Sequence, residues 1–377
     1  MKKKHLDKKK RGLVREKDWE RRGDTAFSHD LVRHRRALGK LTEAAVAAGR
    51  DALPAEFTPN AVLISHAKKW AFVQFLEDLP GRERERVCLI DERLHEGEES
   101  LLAAGDRVWV EFEEEDAFIR GVAPRHGVLG RPAGAHDRLK RQVLAANVDQ
   151  LVIVAAAAQP RFRPGLVDRY LITAETGGVR PLLVLNKTDL AEGDPEELSI
   201  YLDLGVPVVR TSCMTGAGLD TLRGMLAGKT SAFSGHSGVG KTSLLNTLDP
   251  DLELHTLDVS RVTEKGRHAT TLARLFEIGG GIRVIDTPGI RHLGLWDVSP
   301  AEVAFYFPEL AGEAPGCKFR NCTHVHEPDC AVRRAVDDGR IPAQRYASYT
   351  RIRASLESET GTTPGRVRPT GEPWRLL

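Results

Sequence analysis

The sequence predicts an α/β protein: a circularly permuted phosphate-loop domain, an N-terminal five-stranded barrel of the oligonucleotide-binding (OB) type, and a C-terminal helical segment that binds metal. Three observations predict it. From residue 137 onward, strand-like apolar runs alternate with helical stretches, the texture of a parallel sheet covered by helices on both faces. Before that, between residues 60 and 125, short β-rich runs are separated by turn residues. Finally, four loop motifs fall at the ends of strand-like runs in a rotated order: Asn186-Lys187-Thr188-Asp189, then Thr211-Ser212-Cys213, then Gly235-His236-Ser237-Gly238-Val239-Gly240-Lys241-Thr242-Ser243, then Asp286-Thr287-Pro288-Gly289. A base-reading motif that precedes the glycine loop means that the usual C-terminal half of the domain has moved to the front.

The 377 residues, 41% hydrophobic and 29% charged, are enough for two or three domains with cores. Four parts are expected: a basic extension over 1–55, the barrel over 56–130, the permuted domain over 131–293, and the metal-binding helical segment and tail over 294–377. Residues 1–50 hold sixteen Lys/Arg against seven Asp/Glu, which suits either an arm that meets nucleic acid or a solvated leader. A short helix is expected at 38–49. The N-terminus has no apolar core of a secretory signal, and no run approaches a membrane span. Five cysteines do not make a disulfide framework in a chain this long, and three of them cluster, which points to a reducing, cytoplasmic compartment and a metal.

The barrel strands are expected at 61–65, 70–76, 86–90, 107–112 and 117–122, punctuated by Pro80-Gly81, Gly97 and Gly105-Asp106. Spacing alone fits an oligonucleotide-binding barrel, or another small barrel or sandwich with no ligand. In the next part, strands are expected at 151–158, 181–185, 206–210 and 231–234, with helices at 166–176, 219–226 and 242–248. A strand pair at 272–278 and 282–285 turns on Gly279-Gly280-Gly281.

The glycine loop supplies the chemistry of phosphate binding. Its glycines let successive backbone N–H groups converge on an anion, and the helix that follows adds its positive end. Lys241 is placed to reach the terminal phosphates, and the Thr242 hydroxyl to ligate Mg²⁺. Asn-Lys-x-Asp is specific for guanine, because the Asp189 carboxylate accepts from a ring N–H and an exocyclic amine that adenine lacks. Asn186 and Lys187 brace and flank the base, and the backbone of Ser212 and Cys213 meets the guanine oxygen. Asp286 is placed to hold Mg²⁺ through water, and the Gly289 N–H to sense the γ-phosphate. Where many GTPases carry a glutamine after Asp-x-x-Gly, this chain has Ile290, so another group must orient water. The stretch Lys265-Gly266-Arg267-His268-Ala269-Thr270-Thr271 offers His268 for that, and Thr270 or Thr271 for Mg²⁺.

Cys317-x4-Cys322-x-His324-x5-Cys330 is a Cys₃His set suited to one structural zinc, with His326 as a rival ligand. Cys88 and Cys213 lie far off in sequence and suit small buried side chains.

Together these residues resemble the RsgA family of circularly permuted GTPases that act on the bacterial small ribosomal subunit. The resemblance implies GTP hydrolysis stimulated by the subunit, rRNA binding, late small-subunit maturation, a catalytic role for His268, a hydrophobic residue at Ile290, and zinc on Cys317, Cys322, His324 and Cys330. It departs at Ala269, where a threonine is usual, and at the acidic run 111–116 of the barrel. The expected protein is a cytoplasmic monomer that cycles between GTP and GDP. Two other readings remain: an RNA-binding platform that holds GTP with little hydrolysis, and a permuted GTPase of the large subunit.

Overall fold

Five strands close into a barrel in the order β1-β2-β3-β5-β4, where β1 is Ala61–His66, β2 Trp70–Phe75, β3 Glu85–Ile90, β4 Arg107–Glu113 and β5 Asp116–Val122. All pairings are antiparallel except β3 with β5. Each strand lies within two residues of its expected position. The computed structural model describes residues 58–66, 70–80, 83–91, 102–114, 116–132, 141–250, 273–286, 295 and 298–360. The expected helix at 38–49 and the boundaries at 55 and 293 lie outside them. Inward side chains of β1 to β5, among them Leu63, Val73, Phe75, Val108 and Ile119, form the barrel's own core.

The chain leaves the barrel through a hairpin, β6 (Leu129–Pro132) with β7 (Arg141–Ala145), that the periodicity does not predict. The expected boundary at 130 therefore falls within a strand. Polar bonds tie this junction to the barrel. Asn147 donates from Nδ2 to the Gly105 carbonyl at 2.9 Å. The buried Asp106 carboxylate accepts two bonds from Arg125, at 2.7 and 2.8 Å.

A six-stranded sheet follows in the order β10-β9-β8-β11-β13-β12, with β8 Gln150–Ala156, β9 Arg180–Asn186, β10 Val208–Arg210, β11 Thr230–Ser234, β12 Arg274–Ile278 and β13 Ile282–Asp286. Only the edge strand β12 runs antiparallel. The strand that feeds the glycine loop, β11, is the fourth of this sheet in sequence yet sits mid-sheet, beside β8. That placement is the permutation in three dimensions. β8 is buried at every position, and its alternate side chains enter two separate cores. Leu151, Ile153 and Ala155 meet helices α1 (Pro164–Thr176) and α2 (Leu198–Asp203) on one face. Val152, Val154 and Ala156 meet α3 (Leu219–Leu226) and α4 (Lys241–Leu248) on the other. A strand covered on both sides has no solvent face, so it reads as a continuous apolar run. Pro164 opens α1, where its missing N–H has no helical partner to lose.

The last part packs α5 (Pro308–Glu313), α6 (Ala331–Asp337) and α7 (Ala343–Thr360) around a third core, which Ile172 of α1 joins. Among the described residues, no helix is long and apolar enough to cross a membrane.

Candidate nucleotide site and metal centre

The four motifs leave the ends of two neighbouring pairs of parallel strands, β10 with β9 and β11 with β13, which flank β8 in the sheet. β9 ends at Asn186 and β10 at Arg210, so Asn186-Lys187-Thr188-Asp189 and Thr211-Ser212-Cys213 leave adjacent parallel strands. Thr188 closes the two turns together, its N–H and its hydroxyl both donating to the Thr211 carbonyl at 3.2 Å. The Ser212 hydroxyl donates to the Asp189 carboxylate at 2.6 Å and accepts from the Met214 and Thr215 N–H groups. It therefore fixes both its own turn and one carboxylate oxygen.

The buried side chain of Asn186 joins this pair of turns to the glycine loop. Its Nδ2 donates to the Val239 carbonyl at 3.0 Å. Its Oδ1 accepts from the Thr211 hydroxyl at 3.1 Å and meets the Cys213 thiol at 3.9 Å. The contact explains Gly240. A Cβ there would lie 2.5 Å from Asn186 Nδ2, and its φ of 92° suits glycine alone among common residues. Gly235 is similarly constrained, since a Cβ would lie 2.2 Å from the Val154 carbonyl.

Lys241 begins α4 and curls back over the loop, donating to the Gly235 and His236 carbonyls at 2.7 and 3.0 Å. Thr242 and Ser243 follow in the first turn of α4. Val239 is buried, whereas Ser237 and Gly238 at the tip are exposed. His236 turns its Nδ1 to the Ser237 carbonyl at 2.8 Å. Asp286 ends β13 opposite Phe233, two residues before Gly235. His268, Thr270, Thr271, Gly289 and Ile290 lie outside the described residues.

Two contacts at this site are not legible from motifs. Lys187, with a left-handed φ of 61°, extends its ammonium to the Gln159 carbonyl at 2.6 Å. Cys213 is half-buried, packed against the core that α3 and α4 cover, with its thiol 3.9 Å from Asn186 Oδ1. The nearest sequence signal for the first is the Gln159-Pro160 break after the long apolar run.

The metal centre is built by the loop before α6. Cys317, Cys322, His324 and Cys330 bring their ligand atoms within 4.8 Å of one another. Cys317 and Cys330 sulfurs are 3.8 Å apart, and each is 3.5 Å from His324 Nδ1. A tetrahedral ion with bonds of about 2.3 Å to sulfur separates two sulfurs by about 3.8 Å, so the residues fit such an ion. Burial holds the His324 imidazole below its ordinary value, which keeps a lone pair available. Burial also pushes the Cys322 thiol up to about 12, so a cation is required to take its proton off near neutrality. Tyr346 and Tyr349 of α7 donate to the His324 and Thr323 carbonyls at 2.7 and 2.6 Å, fixing the ligand loop from outside. His326 stays at the surface beside Glu327 and outside the cluster.

Residues 122–296 match the family model described as RsgA GTPase. A curated relative from Saccharophagus degradans, a small ribosomal subunit biogenesis GTPase, is 39% identical over 306 residues, covering 78% of this chain and 87% of its own length. One of the same name from Pseudomonas aeruginosa is 45% identical over 261 residues, or 68% of this chain and 76% of the relative. Among solved structures, YjeQ from Thermotoga maritima superposes with a TM-score of 0.60 at 31% identity, over 78% of this chain and 97% of its own. YloQ, described as a circularly permuted GTPase, gives a TM-score of 0.57 at 28% identity over 80% and 96%.

Proposed function

The chain belongs to the RsgA GTPase family, and from that premise we propose that it hydrolyses GTP in the service of small ribosomal subunit maturation, with its turnover stimulated by the subunit. The observation that carries the reading is the 3.0 Å bond from Asn186 to the Val239 carbonyl, which sets the guanine motif and the phosphate loop at one site despite their swapped order. Asp189, held by Ser212, reads the guanine N–H groups. Lys187 lies along the base plane. The N–H groups of the glycine loop and the Lys241 ammonium take the phosphates, with Lys241 exchanging its carbonyl partners for phosphate oxygens. Thr242 and Asp286 are the groups for Mg²⁺, together with Thr270 or Thr271. When bound, the ion neutralises charge on the β- and γ-phosphate oxygens. Ile290 offers no hydrogen bond to water, so His268 is assigned to orient the attacking water.

Zinc is the ion proposed for Cys317, Cys322, His324 and Cys330, since a closed Cys₃His set leaves no position for substrate. Elemental analysis of the purified chain should find one equivalent of zinc, and Cys322→Ser should lose it; a full equivalent in that variant removes the assignment. The protein is further proposed to act as a cytoplasmic monomer that contacts rRNA.

Turnover of GTP by the purified chain, measured with and without isolated small subunits, tests the main reading. Slow intrinsic hydrolysis is expected to rise severalfold or more with small subunits and not with large ones. His268→Ala should keep nucleotide binding and lose most of the stimulated rate. Unchanged turnover at saturating subunits rejects the coupling, and full stimulated activity in His268→Ala rejects that residue's role.

A further inference from the structure

Strand register lays an apolar row across the outside of the barrel. Trp70 on β2 pairs with Leu89 on β3, Leu89 with Phe118 on β5, and Phe118 with Glu111 on β4. Phe72 pairs with Val87 in the next row. Their neighbours in each strand point inward, so these side chains face out. Trp70, Val87 and Leu89 are 45%, 56% and 43% exposed. The opposite side of the barrel is different, for Val62 of β1 joins the core beneath the sheet. One side of the barrel is thus buried against the rest of the protein, and the other presents contiguous apolar surface, the mark of an interaction site.

The charge around the row selects the class of partner. Arg120 lies over the Phe118 ring, 4.8 Å from its centroid. It is already paired with Asp91, with Glu113 and, at 3.3 Å, with Glu111. Exposed Glu85 and Asp116 extend the acidic rim. Residues 61–122 as a whole carry fifteen Asp/Glu against eight Lys/Arg. Exposed aromatic rings suit stacked bases, but single strands also need a cationic track for their phosphates. Here the track is anionic. The closed barrel has no open strand edge for a partner to extend. Recognition on this face therefore runs through side chains.

We propose that this face docks an extended, Lys/Arg-rich segment of a partner protein. Apolar side chains at alternate positions of the segment cover Trp70, Leu89 and Val87. Its cations meet Glu111, Glu113 and Asp116. The inference does not depend on the ribosomal reading.

Fluorescence anisotropy on the full chain tests it with three labelled probes: a peptide alternating Lys and Val, the same peptide with Ser for Val, and an oligouridylate. The Lys/Val peptide is expected to bind more tightly than the Lys/Ser peptide. Leu89→Ser and Glu111→Lys should each weaken it about tenfold, with intrinsic GTP turnover unchanged as a check on folding. Val87→Ser, at the most exposed position of the row, replaces Leu89→Ser should the latter lower the unfolding midpoint. Equal affinity of the Lys/Val peptide for wild type and variants overturns the proposal. So does an oligouridylate whose binding falls in the Leu89 or Val87 variant while that of the peptide does not, since the face would then be a nucleic-acid surface.

Discussion

Asn186 directs both ends of its amide into the protein, the nitrogen to Val239 and the oxygen to Thr211 and Cys213. It acts as a brace between turns, which leaves the base selection proposed above to Asp189, three residues on. That division yields a sharp expectation. A carboxylate accepts two N–H bonds from guanine, whereas an amide in its place presents one acceptor and one donor. Asp189→Asn should therefore reverse preference toward xanthosine triphosphate, changing the ratio of affinities by about a hundredfold or more. Competition binding with the two nucleotides measures it, and an unchanged ratio rules out Asp189 as the base reader. The fold should survive, because an Asn oxygen still accepts from the Ser212 hydroxyl that now holds Asp189 at 2.6 Å.

At the scale of elements, burial decides both what holds and what was legible. Helix α1 carries Glu175 in its last turn, where burial raises the carboxyl to about 7. A folded-state value above the unfolded one means that the native protein binds the proton more tightly. The carboxylate thus costs nothing at pH below about 4, and its cost grows as pH rises from there through about 7. Glu175→Gln should leave stability near pH 4 unchanged relative to wild type, and raise it at pH 8 by about 1–2 kcal/mol, or a few degrees in the unfolding midpoint. Thermal scans at the two values check this, and a gain that is equal at both would assign the effect to something other than ionisation. The same logic of burial explains the sequence reading. β8 is buried on both faces and announces itself through the unbroken apolar run from Leu151 to Ala158. The phosphate and guanine motifs are legible because local backbone geometry dictates them, as at Gly235 and Gly240. Helix α2 has only six residues, and what secures it is distant: Tyr201 is fully buried and its hydroxyl reaches the Pro164 carbonyl and Asp168. No window of sequence reports such a partner. The β6–β7 hairpin is illegible for a related reason. Its strands are short, one ends in proline, and its anchors at Ala104 and Gly177 lie far along the chain. Likewise the motif Asn-Lys-Thr-Asp does not predict that Lys187 will find Gln159, since that contact belongs to the tertiary arrangement.

Across the whole molecule, α1 is the member shared by the nucleotide-binding sheet and the metal-binding helices. Its Val167, Tyr170 and Leu171 belong to the sheet's core, while Ile172 belongs to the C-terminal one. Between these apolar contacts lies a buried ion pair, Arg345 Nη1 of α7 to Asp168 Oδ1 of α1 at 2.5 Å, with side-chain exposures of 3% and 0%. Arg345 also reaches Glu309 at 2.5 Å and lies 4.3 Å from the centre of the Phe307 ring. A buried pair of this kind contributes little net stability over an apolar pair, but removing one member leaves an uncompensated charge. Arg345→Met should therefore cost about 3–5 kcal/mol in urea unfolding. Asp168→Asn in the same chain should restore a good part of that loss, because the amide needs no cation and still accepts from the Tyr201 hydroxyl. The double-mutant cycle then gives a coupling of at least about 1 kcal/mol. Additive losses would instead mean that the two residues stabilise their own parts independently, and that α1 joins the nucleotide sheet to the metal-binding helices through apolar packing alone.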